Sequence, residues 1–497
     1  MPAVHLENVS FSYPSANDVL TDVTIDLGQG WTGVVGANGS GKSTMLALIS
    51  RDLVPVSGTV AVDPSSAPLE ICPQEVEHAT SEIEAFAGAT DGIARGWMGR
   101  LEIDPSTFAR WTSLSPGERK RWQIGAALAR EPAVLLLDEP TNHIDSDARA
   151  VLMSALGSFK GVGLVVSHDR TLLNTLTTNT LLVDGGTAVL WGGPYEVARA
   201  GWEAERLQTQ ASYDKTVREQ KKQRRRLADQ RRAAELKRAQ QRRKLRHAGA
   251  KDKDARSMEQ KGRYESGEAS GNRQLEVTRA ALERTDAQVS SFEMVRDLGR
   301  SVFLDYEPAR KSLLLKYVGP LQVGEHTLVS HVDVALMRDD RVQLHGRNGA
   351  GKTTLLREMM AASHLPADRV LCLPQELTES DVSDLLGLLD SLDSSTKGDV
   401  LSLVAALGAD PKRLLASDDP SPGEARKLSM AFGLALSPWC VLLDEPTNHL
   451  DLPSVERLQA ALSVYPGAVL LISHDEEFAD ALTQPTWHLT TTGVSTN

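Results

Sequence analysis

The chain has 497 residues, 41% of them hydrophobic, and a formal net charge of −12, which is long enough for about three domains with sizeable cores. Its most apolar runs, such as 133–137 and 468–472, fall far below the roughly 20 residues needed to cross a bilayer. Cys72, Cys372 and Cys440 offer neither metal-ligand spacing nor a disulfide framework, so a reducing compartment is the natural setting. Residues 1–10 contain His5 and Glu7 but no basic flank before an apolar stretch, so export is not expected.

In chain order, the first clear element is the alternation Val23, Ile25, Leu27, which suits a half-buried strand. The run Val34-Val35 follows, then Gly36-Ala-Asn-Gly-Ser-Gly-Lys-Ser-Thr44 and helix-like sequence. Ile71-Cys-Pro leads to Gln74, and Ser115-Pro-Gly-Glu118 opens another helix. Leu136-Leu-Asp-Glu-Pro-Thr-Asn-His143 reads as a buried strand ending in carboxylates, and Ser167-His168-Asp169 closes the series.

Residues 205–246 are rich in Arg, Lys, Gln, Ala and Leu and lack Pro and Gly, which predicts a long exposed helix. Gly249, Gly262, Gly267 and Gly271 interrupt it, and Leu275, Leu282 and Val289 then recur every seven residues, as in a returning helix with one apolar seam. The pattern predicts a helical hairpin with its tip near 247–271. Residues 214–263 hold 20 Lys/Arg against 7 Asp/Glu, a charge of +13 that leaves −25 on the rest. A polyanion partner is one reading of that contrast, and a solvated charged linker is the other.

The remaining chain repeats the first part. The pattern Val332, Val334, Leu336 precedes the run 342–344, then Gly346-Arg-Asn-Gly-Ala-Gly-Lys-Thr-Thr354. Leu371-Cys-Leu-Pro leads to Gln375, followed by Ser421-Pro-Gly-Glu424, Leu442-Leu-Asp-Glu-Pro-Thr-Asn-His449 and Ser473-His474-Asp475. The spacing repeats too: Ser115 to Asp138 and Ser421 to Asp444 are both 23, and Asp138 to His168 and Asp444 to His474 are both 30. This predicts two copies of a parallel α/β domain with crossover helices, over 1–200 and 305–497, with a basic hairpin linker over 201–304.

The repeated motifs carry recognisable chemistry. Glycine lets successive backbone N–H groups converge on phosphate oxygens at a helix start, so Gly36, Asn38, Gly39, Gly41 and Thr44, with Gly346, Asn348, Gly349, Gly351 and Thr354, are candidate nucleotide contacts. Lys42 and Lys352 should reach the β- and γ-phosphates, with Ser43 and Thr353 supplying hydroxyls to Mg²⁺. An ordinary tight turn would explain one such loop but not two, each followed by an acidic strand end. Asp138 and Asp444 can hold the Mg²⁺ shell, and Glu139 and Glu445 can orient or deprotonate water. Gln74 and Gln375, alone unremarked surface amides, become expected Mg²⁺ and water contacts within the repeat. His168 and His474 could be core histidines, but their position favours a γ-phosphate hydrogen bond. Ser-Pro-Gly-Glu is a capping box, and a helix start also presents N–H groups to an anion.

Together these residues resemble the ATP-binding-cassette superfamily over about four-fifths of the chain, with the tandem cassettes of its F subfamily. The resemblance implies head-to-tail cassettes within one monomer. One ATP and Mg²⁺ site would combine Lys42, Ser43, Asp138, Glu139 and His168 with Ser421 and Gly423. The other would combine Lys352, Thr353, Asp444, Glu445 and His474 with Ser115 and Gly117. It also implies ATP hydrolysis, a cytoplasmic setting and a ribosomal partner, large-subunit rRNA and peptidyl-site tRNA, met through 205–275 as the linker enters the exit-tRNA site toward the peptidyl-transferase centre. The run Lys251-Asp-Lys-Asp-Ala-Arg256 looks like linkers of the antibiotic-resistance group. The intervals Gln74 to Ser115 (41) and Gln375 to Ser421 (46) leave little room for the extra arm of several housekeeping members. Protection of the ribosome from antibiotics is therefore expected, with a housekeeping translation factor, a transporter ATPase and a DNA-clamp ATPase as rival readings. Tyr13 matches the aromatic that stacks on adenine in the first cassette. Residues 320–323 of the second copy hold no aromatic, Tyr317 being nearest, and Pro420 stands where the first signature has Leu114.

Overall fold

The computed structural model describes residues 2–14, 18–142, 144, 146–247, 278, 279, 282, 306–324, 326–347, 349–416 and 420–496. They fall into two compact units, one within Met1–Ala198 and Leu298–Asn497, the other within Arg199–Asp297. Asn348, the Lys251 to Arg256 run, the four linker glycines, Leu275 and Val289 lie outside the described residues.

The first unit contains both sequence copies. In the first copy, β1 (Ala3–Ser12), β2 (Asp18–Leu27) and β4 (Ser57–Asp63) form an antiparallel sheet ordered β2-β1-β4. A second sheet takes β3 (Gly30–Val35), β5 (Leu69–Cys72), β6 (Val134–Asp138), β7 (Val162–Val166), β8 (Asn179–Asp184) and β9 (Thr187–Gly192) in the order β5-β6-β7-β3-β8-β9. The second copy pairs β10 (Leu313–Val323) with β11 (His326–Met337). Its large sheet takes β12 (Arg341–His345), β13 (Val370–Leu373), β14 (Cys440–Asp444), β15 (Ala468–Ile472), β16 (Thr486–Thr490) and β17 (Gly493–Thr496) in the equivalent order, β13-β14-β15-β12-β16-β17.

A purely parallel core is therefore too simple. β9 and β17 are antiparallel edge strands, and β1 with β2 and β10 with β11 are antiparallel ribbons. The distinction follows burial. β6 and β7 are buried almost throughout because helices cover both faces of a parallel sheet, whereas β2 alternates buried and exposed residues because only one face is covered.

Val4, Leu6, Leu20 and Ile25 of the ribbon pack with Met45, Leu46, Val34 and Leu136 around the helix Lys42–Ile49. Each fully buried Leu or Val contributes about 1.5–3 kcal/mol, so this layer holds the phosphate loop rigidly. Leu315, Val332 and Leu336 do the same around Leu355 and Met359. On the other face of the second large sheet, Leu443 and Leu471 meet Leu428 and Leu434 of the helix Pro422–Ala435.

In the second unit, the described residues belong chiefly to the helix Tyr195–His247, which begins ten residues before the expected 205. Its exposed surface carries turn-to-turn pairs such as Lys222 with Glu219, and Gln223 donating to Glu219 at 2.7 Å. Such contacts add a few tenths of a kcal/mol each. Among the described residues no helix is long and apolar enough to cross a membrane.

Candidate functional site

The parallel register gathers the repeated motifs at one edge of each large sheet, because loops leaving the carboxyl ends of parallel strands converge there. Val34 and Asp138 both pair with Val166, and Asp444 pairs with Ile472. The loop after β3 turns through positive φ at Gly39 (77°) and Gly41 (104°), and Gly349 (77°) and Gly351 (98°) repeat the turn after β12. A Cβ on Gly41 would lie 2.8 Å from Val19 Cγ1. Glycine is required there by both conformation and space.

The helices starting at Lys42 and Lys352 point their free N–H groups at these turns. Lys42, 8% exposed, donates from Nζ to the Gly36 and Ala37 carbonyls at 2.9 Å. Lys352 donates to Gly346 O at 2.6 Å and Arg347 O at 3.4 Å. Burial lowers the Lys42 ammonium's pKa, against the opposing pull of Glu139, Asp451 and Asp138. The nests of N–H groups and the lysines fit a triphosphate.

Thr353 donates from Oγ1 to Asp444 Oδ2 at 2.6 Å, leaving a hydroxyl and a carboxylate side by side, the hard oxygen donors that suit Mg²⁺. Glu139 and Glu445 follow the strand ends at positive φ, 46° and 47°, a strained conformation fixed by Glu139 N donating to Val166 O and Glu445 N to Ile472 O. Both side chains are buried. Glu139 Oε2 accepts from His168 N at 3.3 Å and its Oε1 lies 3.1 Å from His168 Nε2. Glu445 makes the equivalent contacts with His474 at 3.1 and 3.5 Å.

Burial, reinforced by Asp138, pushes the Glu139 carboxyl up to about 8, and burial raises Glu445 to about 7. Burial, with Lys42 adding, lowers His168 to about 3, so its imidazole is neutral near pH 7. A carboxylate poised near neutrality and touching a neutral imidazole can accept a proton from water.

One cavity of about 1420 Å³ is lined by residues of both phosphate loops, by Tyr13, Gln74, Asp138, Glu139 and His168, and by Gln375, Asp444, Glu445 and His474. Ser421 and Gly423 line it as well. The two copies also touch directly: Asn38 N donates to Asp451 Oδ2 at 2.7 Å, and Asn38 Nδ2 donates to His449 O at 3.1 Å. Burial raises the Asp451 carboxyl, but Lys427 and hydrogen bonds from Ser454 and Asn38 outweigh it and hold it below its ordinary value. From the first copy, Arg149 donates to His474 O at 2.9 Å.

A family model described as ABC transporter matches residues 20–142 and 329–448, once in each copy. The ATP-binding protein Uup of Caulobacter vibrioides is 30% identical over 487 residues, spanning 91% of this chain and 71% of that protein. ATP-binding cassette sub-family F member 2 of Mus musculus is 25% identical over 543 residues, 97% of this chain and 80% of that one. The chain belongs to the ATP-binding-cassette family, F subfamily. Ribosome protection protein VmlR of Bacillus subtilis is also similar, 27% identical over 522 residues, 99% of this chain and 87% of that protein. As a cassette ATPase, the chain binds ATP and hydrolyses it.

The two cassettes are not equivalent. Ser115 caps its helix, its Oγ accepting from Glu118 N, and Gly117 lies in the first turn, but neither is among the cavity's lining residues. Ser421 and Gly423, by contrast, share the cavity with the first cassette's phosphate loop, and a Cβ on Gly423 would lie 3.5 Å from Asn38 Nδ2. Tyr13 lines the cavity, packs edge-on against Phe11 at 5.0 Å and sits 3.2 Å from Thr44 Oγ1 through its hydroxyl. Tyr317 does not line it and donates to Pro320 O at 2.6 Å. Val323 and Leu328 line the second cassette instead.

Sequence reasoning missed three features. Asp451 resembles a plain helix cap before Leu-Pro, and nothing local marks its contact 413 residues away. Arg149 carries no motif. Lys120 and Arg426, each five residues past a signature Ser, were legible as a repeated basic position, but their acceptors are backbone carbonyls with no sequence mark.

Proposed function

We propose that this ATPase binds the ribosome through its basic linker and is released when ATP is hydrolysed, and that it protects the ribosome from antibiotics bound near the peptidyl-transferase centre. The observation that carries the clamp is the shared cavity, where both phosphate loops and the Ser421 helix start converge. In this reading, ATP with Mg²⁺ is bound by Lys42, Ser43, Gln74 and Asp138, and by Lys352, Thr353, Gln375 and Asp444. Glu139 and Glu445 act on water, and His168 and His474 on the γ-phosphate. ATP draws the cassettes together, and loss of the bridging phosphate frees them.

The +13 charge on 214–263 supports an RNA partner, which lysine and arginine hold through phosphates. The VmlR relative supports ribosome protection, and a cytoplasmic location follows from a ribosomal partner. The first cassette's Ser115 and Gly117 take part in the second ATP site only after the cassettes close further.

Glu139→Gln with Glu445→Gln is expected to hold the protein on ribosomes with ATP, in a salt-sensitive manner, when pelleted through sucrose. Equal pelleting with and without ATP refutes the clamp. Drug susceptibility of cells expressing the parent chain separates protection from a housekeeping translation role: unchanged susceptibility across drugs of that centre removes the protection reading.

A further inference from the structure

The helix Pro422–Ala435 faces two nucleotide positions. Ser421 and Gly423 at its start line the cavity against the first cassette, and a Cβ on Gly423 would lie 3.5 Å from Asn38 Nδ2. One turn later Arg426, 2% exposed, is held inside its own cassette. Its guanidinium donates to Gln375 O at 2.9 Å, Asp444 O at 2.8 Å, Glu445 O at 2.6 Å and Pro446 O at 3.3 Å. One planar cation thus ties the Gln375 loop and the Glu445 strand end to the helix that serves the other phosphate loop. Lys120, at the same offset from Ser115, donates to Pro73 O, Gln74 O and Asp138 O, one residue short of Glu139. An ammonium is a point charge, whereas a guanidinium is a rigid fork that fixes its acceptors in orientation as well as distance.

We propose that Arg426 is a positioning residue coupling the two ATP sites, so that closure of the Ser421 helix start on the triphosphate at Lys42 sets Gln375 and Glu445 for hydrolysis at Lys352. The coupling rests on the head-to-tail site reading above. It also runs in reverse, because a free energy shared between two sites acts on both. Lys120 is the weaker counterpart in the first cassette, since its reach ends at Asp138. Arg426 touches no reacting atom and acts only through the segments it joins.

The test uses the full-length chain with one site silenced at a time. In Glu139→Gln only the Lys352 site turns over, and in Glu445→Gln only the Lys42 site. Arg426→Lys is added to each, and kcat, KM for ATP and thermal melting are measured. Coupling predicts a loss in kcat of about fivefold or more in both backgrounds, with KM and melting temperature nearly unchanged. A loss confined to Glu139→Gln means that Arg426 serves only its own site, and overturns the coupling. Parallel changes in KM and melting also overturn it, as a purely structural role. Lys120→Arg is a second variant, expected to shift kcat in both backgrounds, and rates unchanged in both refute the idea if Arg426→Lys does not fold. If the double Glu139→Gln, Glu445→Gln protein still hydrolyses ATP at the parent rate, the site reading itself fails.

Discussion

The two buried glutamates should make the protein less stable as the pH rises, and Glu445→Gln measures by how much. The folded environment raises Glu445 from 4.5 to about 7, with burial as the leading cause. A carboxyl whose folded value is raised favours folding while protonated. That contribution is complete below the ordinary carboxylate range and is lost as the pH rises through the folded value. At about 1.4 kcal/mol per unit, ionising Glu445 inside the fold costs on the order of 3 kcal/mol above pH 7. A neutral amide of the same shape avoids that cost. In EDTA and without nucleotide, Glu445→Gln is therefore expected to melt several degrees above the parent at pH 8, with the gap closing toward pH 5. Glu139→Gln should behave alike, its carboxyl being pushed higher still. Calorimetric melting across pH 5–8.5 reads the effect directly. Parent and variant curves that superimpose at every pH would refute the argument, since the carboxylate would then be as well solvated folded as unfolded.

Other consequences are testable singly. Asp451→Ala leaves the buried Lys427, 3.9 Å away, without its ion partner and Asn38 N without its acceptor. It should cost roughly 3 kcal/mol in urea unfolding, a contribution lost in the parent as the pH falls below the ordinary carboxylate range because the folded value is depressed. Tyr13→Ala should raise KM for ATP about tenfold with kcat little changed, and an unchanged KM would remove Tyr13 from the nucleotide site. Gly163→Ala drives a methyl into the Trp31 ring, and overpacking there should cost about 1–3 kcal/mol in thermal or urea unfolding.

The duplicated motifs made the cassette architecture legible, because a phosphate loop, an acidic strand end and a histidine at fixed spacing can meet only at one edge of a parallel sheet. Continuous apolar runs identified β6 and β14 for the same reason. What stayed hidden depends on partners far away in the chain or on main-chain acceptors. The contact of Asn38 with Asp451 leaves no local trace, and Arg426 binds carbonyls that every residue possesses. The long helix begins at Tyr195 because Tyr195 and Ala198 are buried, so its first turns are apolar, while the sequence reading followed charge. Replacement of an aromatic by Val323 and Leu328 appears only once the cavity wall is seen, since Tyr317 lies near in sequence yet turns to Pro320.

Both phosphate loops keep their lysine on backbone carbonyls, Lys42 on Gly36 and Ala37 and Lys352 on Gly346 and Arg347. The buried Lys42 ammonium, already largely stripped of water, forfeits little hydration when an anion displaces those neutral oxygens. A densely charged anion such as a triphosphate gains most from that exchange, because charge-assisted hydrogen bonds replace neutral ones.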